Sequence, residues 1–293
     1  MRSLLLWKFL ILPWVLFSQL TSPPVSHLFS CQLEPFQDNF FVKDVKYLSG
    51  FNTLGYNNQP YFVGENQIMI CSAKPSEATD IYLLYLNQQL IKPLTDTPEP
   101  EYSPKPIPHK SAFSVVRVSQ DTVQELWEYP LEPGLKGKLI IKNSTKIGYY
   151  TWVNDTLAVI YHVGTPSVLK AANLKTERTI TFASDVGRCL MTGANKQVYY
   201  VHKLTNQLSY LKSYDLFEKK SILITESLPG VDDFTLVNDQ LIIMAKGSAL
   251  YYFRAGTNQT SWNLIQDLAP YGLKNITRLA YQNGTLVLVD QPN

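Results

Sequence analysis

Cysteine, histidine and charge are all scarce in this chain, and each shortage removes a class of function. The 293 residues hold three cysteines, so at least one is unpaired, and their spacing fits no zinc or redox motif. Cys71 and Cys189 stand in apolar, strand-like surroundings and read as small buried hydrophobes. His27, His109, His162 and His202 show no ligand spacing, so no metal site is expected. Charged residues make up 17% of the chain and the formal net charge is +2. That leaves no basic footprint for nucleic acid and no acidic block of the kind found in disordered tails. No Gly-x-Ser-x-Gly elbow occurs.

Long hydrophobic runs are scarce too. Arg2 and Lys8 sit at the start of a mostly apolar run, Leu4 to Phe17, shorter than the ~20 residues a spanning helix needs. A positive start, a short apolar stretch and then polar residues predict a secretory signal. Leu28-Phe29-Ser30-Cys31 resembles a lipobox, which makes Cys31 a lipidation candidate, while cleavage near Ser18 or Ser26 fits as well. The expected division is residues 1–31 as the signal and 32–293 as one domain. The expected location is the periplasm or surface of a Gram-negative bacterium, with any membrane contact made through the signal or a lipid.

What is abundant is aromatic and repetitive. With 18 Tyr and 13 Phe, strands are favoured over helices. Trp152-Val153-Asn154-Asp155-Thr156-Leu157 matches Leu236-Val237-Asn238-Asp239-Gln240-Leu241, and both match Tyr281-Gln282-Asn283-Gly284-Thr285-Leu286. Each is a strand end, a turn tolerant of positive φ, and a new apolar strand. Phe62, Tyr102 and Met191 anchor three looser copies. The six anchors are separated by 40, 50, 39, 45 and 45 residues. A period near 44 suits four-stranded propeller blades, which bury both sheet faces only by stacking. The last copy ends after two strands, and the unassigned run Phe40 to Leu48 is the expected donor of a closing strand. The fold expected is therefore all-β: a six-bladed propeller closed by an N-terminal strand on the C-terminal blade.

Asp80-Ile81-Tyr82, then Leu94-Thr95, then Tyr102-Ser103-Pro104 resembles the TolB-like propeller repeat, with Gln124-Glu125-Leu126-Trp127 as a looser third-strand match. The resemblance is clearest over residues 60 to 130. It implies the propeller superfamily rather than TolB itself, because the extra N-terminal domain of TolB is missing and no repeat keeps the full Ser-Pro-Asp-Gly.

Propellers bind at the mouth of the central channel. Three residues before each anchor stand Gln59, Glu99, Tyr149, Arg188, Asp233 and Arg278, all polar or amphipathic. One residue later stand Pro60, Pro100, Tyr150, Cys189, Phe234 and Leu279, mostly apolar. That contrast suits a polar ring above packed blades, with Glu101, Asp185, Asp232 and Lys274 near the rim. Two arginines could take a carboxylate, a phosphate or an acidic peptide; equally, the acids and arginines could neutralise one another. Arginines between Glu99 and Asp233 would repel a cation. The expectation is a non-catalytic monomer without a cofactor that binds a protein partner or a small polar or anionic ligand. The alternatives are a carbohydrate-active or lactonase-like enzyme, or a structural scaffold using Lys105 to Lys110 as a contact.

Overall fold

The computed structural model describes residues 23–292 except Gln89, Gln120 and Pro133. The candidate signal run, Leu4 to Phe17, lies outside the described residues. β1 (His27–Phe36) and β2 (Asn39–Tyr47) form a hairpin at the start of the domain. Five blades then follow in chain order. The first is β3 (Tyr56–Gly64), β4 (Gln67–Ala73), β5 (Asp80–Tyr85) and β6 (Leu90–Pro93). The second is β7 (Glu101–Pro106), β8 (Ala112–Val118), β9 (Gln124–Pro130) and β10 (Lys138–Leu139). The third is β11 (Ile147–Asn154), β12 (Leu157–His162), β13 (Val168–Asn173) and β14 (Arg178–Ser184). The fourth is β15 (Val186–Thr192), β16 (Val198–Lys203), β17 (Ser209–Asp215) and β18 (Lys220–Glu226). The fifth is β19 (Phe234–Leu236), β20 (Leu241–Lys246), β21 (Ala249–Arg254) and β22 (Asn263–Asp267). β23 (Ile276–Gln282) and β24 (Thr285–Asp290) complete the chain.

Six four-stranded antiparallel sheets result, and the sixth runs β2-β1-β24-β23. The first strands of neighbouring blades touch in a closed ring: β3, β7, β11, β15, β19, β23 and β3 again. The expected six-bladed propeller is the observed fold. Its closure differs in one respect from the expectation of a single donated strand. Both β1 and β2 come from the N-terminus, and β1 is the one that pairs with β24, His27 opposite Asp290 through Gln32 opposite Thr285. The expected donor, Phe40 to Leu48, lies mostly in β2 and forms the outer edge.

The expected domain boundary at residue 31 therefore falls inside a strand. Leu28 packs against the first blade, while Phe29, Cys31 and Leu33 pack against the fifth. Ser26 is fully buried and exchanges hydrogen bonds with Asn57 of β3 at 2.9 and 3.0 Å. Apolar residues on both faces of β1 look like the tail of an apolar leader, which is why a sequence reading assigns them there.

Both faces of each second strand are buried because each blade packs on two neighbours. In β4, Ile68 and Ile70 meet Leu28, Val287 and Val289 of the sixth blade. On the opposite face Met69 and Cys71 meet Phe113, Val115 and Tyr129 of the second. One apolar cluster fills each of the six interfaces. The Leu-Thr and Asp-Ile-Tyr elements of the repeat also find a physical role. Thr95 Oγ1 accepts the Ile81 N–H at 2.9 Å and donates to Asp80 Oδ1 at 3.1 Å, which fixes the end of β5.

Candidate functional site

The inner strands are not regular. Register shifts interrupt β3 between Asn58 and Tyr61, β7 between Tyr102 and Lys105, and β11 between Ile147 and Tyr149. β15 and β23 are shifted between Val186 and Leu190 and between Ile276 and Arg278. Bulges of this kind re-aim side chains, and here they turn a ring of residues into the channel. Gln59 and Ser103 adopt nearly the same left-handed backbone, φ 54° and 55°. Each is followed by a proline, whose missing N–H suits an inner strand with one unpaired edge.

That equivalence corrects the second blade. Ser103, not Glu99, is the counterpart of Gln59, and the anchor belongs at Pro106 rather than Tyr102. The channel ring is Gln59, Ser103, Tyr149, Arg188, Asp233 and Arg278, which all line one cavity of about 200 Å³. Five of the six expected residues are therefore brought together. Glu99 lies before β7 and receives Arg117 Nη2 at 2.5 Å; Arg117 in turn stacks on Trp127 at 4.5 Å. Ser103-Pro104 forms the mid-strand bulge, and the turn that follows β7 is at Pro108-His109. The stretch from Lys105 to Lys110 is thus a strand end and a hairpin turn.

Within the ring the pairing is specific. Arg278 Nη1 meets Asp233 Oδ2 at 3.1 Å, and its Nη2 donates to the Tyr149 hydroxyl at 3.0 Å. Its guanidinium also lies 4.9 Å from the centre of the Tyr149 ring. Asp233 Oδ1 accepts the Leu279 N–H at 3.0 Å. Burial works against the Arg278 charge, and the Asp233 carboxylate together with Tyr149, Cys189 and Tyr56 outweighs it, so the guanidinium pKa is raised. Arg278, Asp233 and Tyr149 form a locked collar. Gln59 is held as well, its Oε1 accepting from the Ser103 N–H at 2.5 Å and from Cys71 Sγ at 3.0 Å.

Arg188 is different. Its Nε lies 3.8 Å from Asp232 Oδ1, while Lys203 holds Oδ2 of the same carboxylate at 2.6 Å. Its Nη2 reaches the Thr277 carbonyl only at 3.5 Å, and Nε makes no hydrogen bond. The side chain is 40% exposed. Burial pushes the Asp232 carboxyl up, and Lys203 and Arg188 more than reverse that, so Asp232 is a firm anion. Of the two arginines foreseen for an anion, Arg278 is closely paired with Asp233 and Arg188 has the looser partners.

Above the collar a wider depression of about 600 Å³ shares Gln59, Tyr149 and Arg188 with the inner cavity. Tyr56, Tyr102 and Tyr161 add to its wall, with Lys203 and Asp232. Tyr56 and Tyr161 were missed because they project from a strand start and a second-strand end at no fixed offset from the anchors, and Tyr102 because the repeat alignment makes it an anchor itself. Of the expected rim residues, Asp232 lies on this wall, while Glu101 is fully buried and bonded to Tyr129 and Thr97. Asp185 and Lys274 line neither cavity.

Chemically the site is equipped to bind. Among the described residues no group of three His, Cys, Asp or Glu is placed to hold a metal ion. Burial pushes the thiols of Cys71 and Cys189 up and that of Cys31 to about 12, so none is a thiolate at neutral pH. Cys31, the lipidation candidate, is 1% exposed in the middle of β1.

No protein-family model matches the chain, and no curated protein matches it by sequence. Solved structures do match. The putative TolB from Agrobacterium tumefaciens superposes with a TM-score of 0.64 at 8% identity, over 93% of this chain and 100% of that one. TolB from Acinetobacter baumannii superposes with a TM-score of 0.59 at 13% identity, over 81% of this chain. The fold is that of the TolB-like propellers. This chain covers 65% of the Acinetobacter TolB. A puromycin-hydrolysing peptidase from Mycobacterium tuberculosis also superposes, with a TM-score of 0.54 at 10% identity, over 80% of this chain and 44% of that one. At these identities what the TolB-like likeness conveys is the scaffold.

Proposed function

We propose that this TolB-like propeller is an exported, non-catalytic binding protein whose channel mouth receives an acidic segment of a protein partner. The observation that carries the reading is Arg188, a partly exposed guanidinium without a full counter-ion, set in a depression walled by Tyr56, Tyr102, Tyr149 and Tyr161. Tyrosine and arginine dominate the energetics of protein interfaces, and arginine pairs with carboxylates through two parallel hydrogen bonds. A small polar anion would use the same donors. Export rests on the leader-like run from Leu4 to Phe17. With Ser26 pinned to Asn57, the proposed cleavage falls before Ser26 and leaves Cys31 as a core residue.

The test is fluorescence anisotropy with a labelled Asp/Glu-rich peptide. Binding should fall at least about tenfold in Arg188→Ala, the ~1.4 kcal/mol or more expected of a central interface arginine. It should also weaken as salt rises. Unchanged binding in both Arg188→Ala and Tyr161→Ala would end this reading. The likeness to a puromycin-hydrolysing peptidase keeps an enzyme as the second reading; amide or ester hydrolysis by the purified protein, abolished by a change within the channel, would favour it over a binding module.

A further inference from the structure

Below the collar the inner cavity contains a cation with nothing opposite it. Lys105 lies two residues beyond Ser103 in β7 and lines the cavity of about 200 Å³. Its Nζ stands 4.9 Å from the centre of the Tyr61 ring and 5.9 Å from that of Tyr150. Among the described residues it makes no ion pair and no hydrogen bond. The two tyrosine faces stabilise an ammonium in part, but they do not replace a counter-charge.

The placement is enforced by the backbone. Pro104 and Pro106 bracket Lys105 and hold it extended. The Lys105 carbonyl accepts from Ser114 Oγ at 3.1 Å, and the preceding bulge is tied down where Tyr150 Oη donates to the Ser103 carbonyl at 2.8 Å. The equivalent positions of the other inner strands are Tyr61, Thr151, Leu190, Thr235 and Ala280, none of them charged. An ammonium held half-buried in the channel without a counter-charge is costly, and the second blade alone carries it.

The surrounding charge points the same way. The two channel cavities are lined by Lys105, Arg188, Lys203 and Arg278 against Asp232 and Asp233, four cations to two anions. Arg278 is committed to Asp233 and Tyr149 and Arg188 lies beside Asp232, so among the described residues Lys105 is the cation of this cavity with no carboxylate partner. The wall around it is largely apolar: Tyr61, Phe62, Tyr150, Leu190 and Met191. A single positive charge in an apolar wall complements a single negative charge on an apolar body.

We propose that the inner cavity is a binding site for a small organic monocarboxylate, whose carboxylate pairs with Lys105 and whose apolar body lies against Tyr61, Tyr150 and Met191. Burial lowers the Lys105 pKa to about 8; Arg278 adds to that effect, and Cys189 and Asp233 oppose it. The neighbouring phenols Tyr61 and Tyr150 are pushed up by burial and stay protonated. Lys105 is thus cationic at neutral pH and loses its charge first among the groups that face it.

Calorimetric titration of the folded protein with benzoate, and with benzamide as its neutral isostere, tests this. Saturable benzoate binding at pH 7 is expected, with benzamide at least about tenfold weaker and Lys105→Met losing the benzoate preference. In the unmodified protein the benzoate affinity should fall about tenfold per pH unit above about 8, the signature of one required proton. That profile needs no variant, so a folding defect in Lys105→Met leaves the test intact. Equal binding of benzoate and benzamide, a flat pH profile, tighter binding of inorganic phosphate than of benzoate, or no saturable binding would each overturn the proposal. The mouth is read with an acidic peptide and Arg188→Ala, the cavity with benzoate and Lys105→Met, so failure of one leaves the other standing.

Discussion

Replacing Asp233 by asparagine removes one charge from the collar while keeping an oxygen for the Leu279 N–H. In the unmodified protein the Asp233 and Arg278 side chains are 10% and 12% exposed and meet at 3.1 Å. Breaking a buried pair by removing one partner leaves an uncompensated charge and costs ~3–5 kcal/mol. The Tyr149 hydroxyl still receives Arg278 Nη2 and the Tyr149 ring still faces the guanidinium, so the lower end, ~3 kcal/mol, applies. For a domain of this size that is a fall of ~6–12 °C in Tm. Arg278→Met should cost a similar amount, because it strands Asp233. The double variant Asp233→Asn/Arg278→Met removes both charges and should recover most of the loss, with a coupling of at least ~2 kcal/mol. Urea unfolding followed by tryptophan fluorescence supplies all four corners of the cycle. A cost below ~1 kcal/mol for Asp233→Asn, or a double variant as unstable as the sum of the singles, would show that the collar is not a buried pair.

A chain beginning at Pro23 should be more stable than one beginning at Gln32 by ~3–6 kcal/mol, since the latter loses the buried Leu28 and Phe29; equal urea midpoints would return the domain start to residue 32. Burial raises the Asp80 carboxyl to about 6, against about 3.9 in the unfolded chain. The folded state therefore holds that proton more tightly, and the associated stability is complete below about pH 4 and lost as pH rises through about 6. Comparing urea midpoints of the unmodified protein and Asp80→Asn at pH 4 and pH 7 isolates this contribution, and an identical pH response in the two would contradict it. Ser114→Ala leaves the Trp152 indole N–H, now bonded to Ser114 Oγ at 2.9 Å, buried without an acceptor. A loss of ~1–3 kcal/mol is expected by thermal unfolding, and no loss would mean that a water takes over.

Blade number was legible because the Asn-Asp and Asn-Gly turns recur after Trp152, Leu236 and Tyr281, and second strands such as Leu241 to Met244 are apolar on both faces. The channel ring was legible for the same reason wherever the anchor was clear. It failed in the second blade, where Tyr102 outcompeted Pro106 as the aromatic landmark. A bulge changes register without changing composition, so nothing local marks it except Pro60 and Pro104. Moving the anchor to Pro106 would have levelled the first two gaps from 40 and 50 to 44 and 46 residues, and the same shift places Lys105 in the channel. β1 was hidden by its neighbours: an apolar strand soon after the apolar run Leu4 to Phe17 has little contrast to stand out against.

The sixth blade joins the strands of this domain that are made first to those that are made last. Gln32 faces Thr285, and His27 faces Asp290. While the chain is being made, β1 and β2 can form only a hairpin with one unsatisfied edge, and their apolar faces await β20, β24 and the first blade. Two-stranded ribbons of this kind are marginal by themselves. The ring consequently has a defined order of assembly: five blades can condense locally, and the clasp shuts only once β23 and β24 have been made. Under the proposed export, with the N-terminus threaded first, the segment that arrives earliest is the one that must be shielded longest.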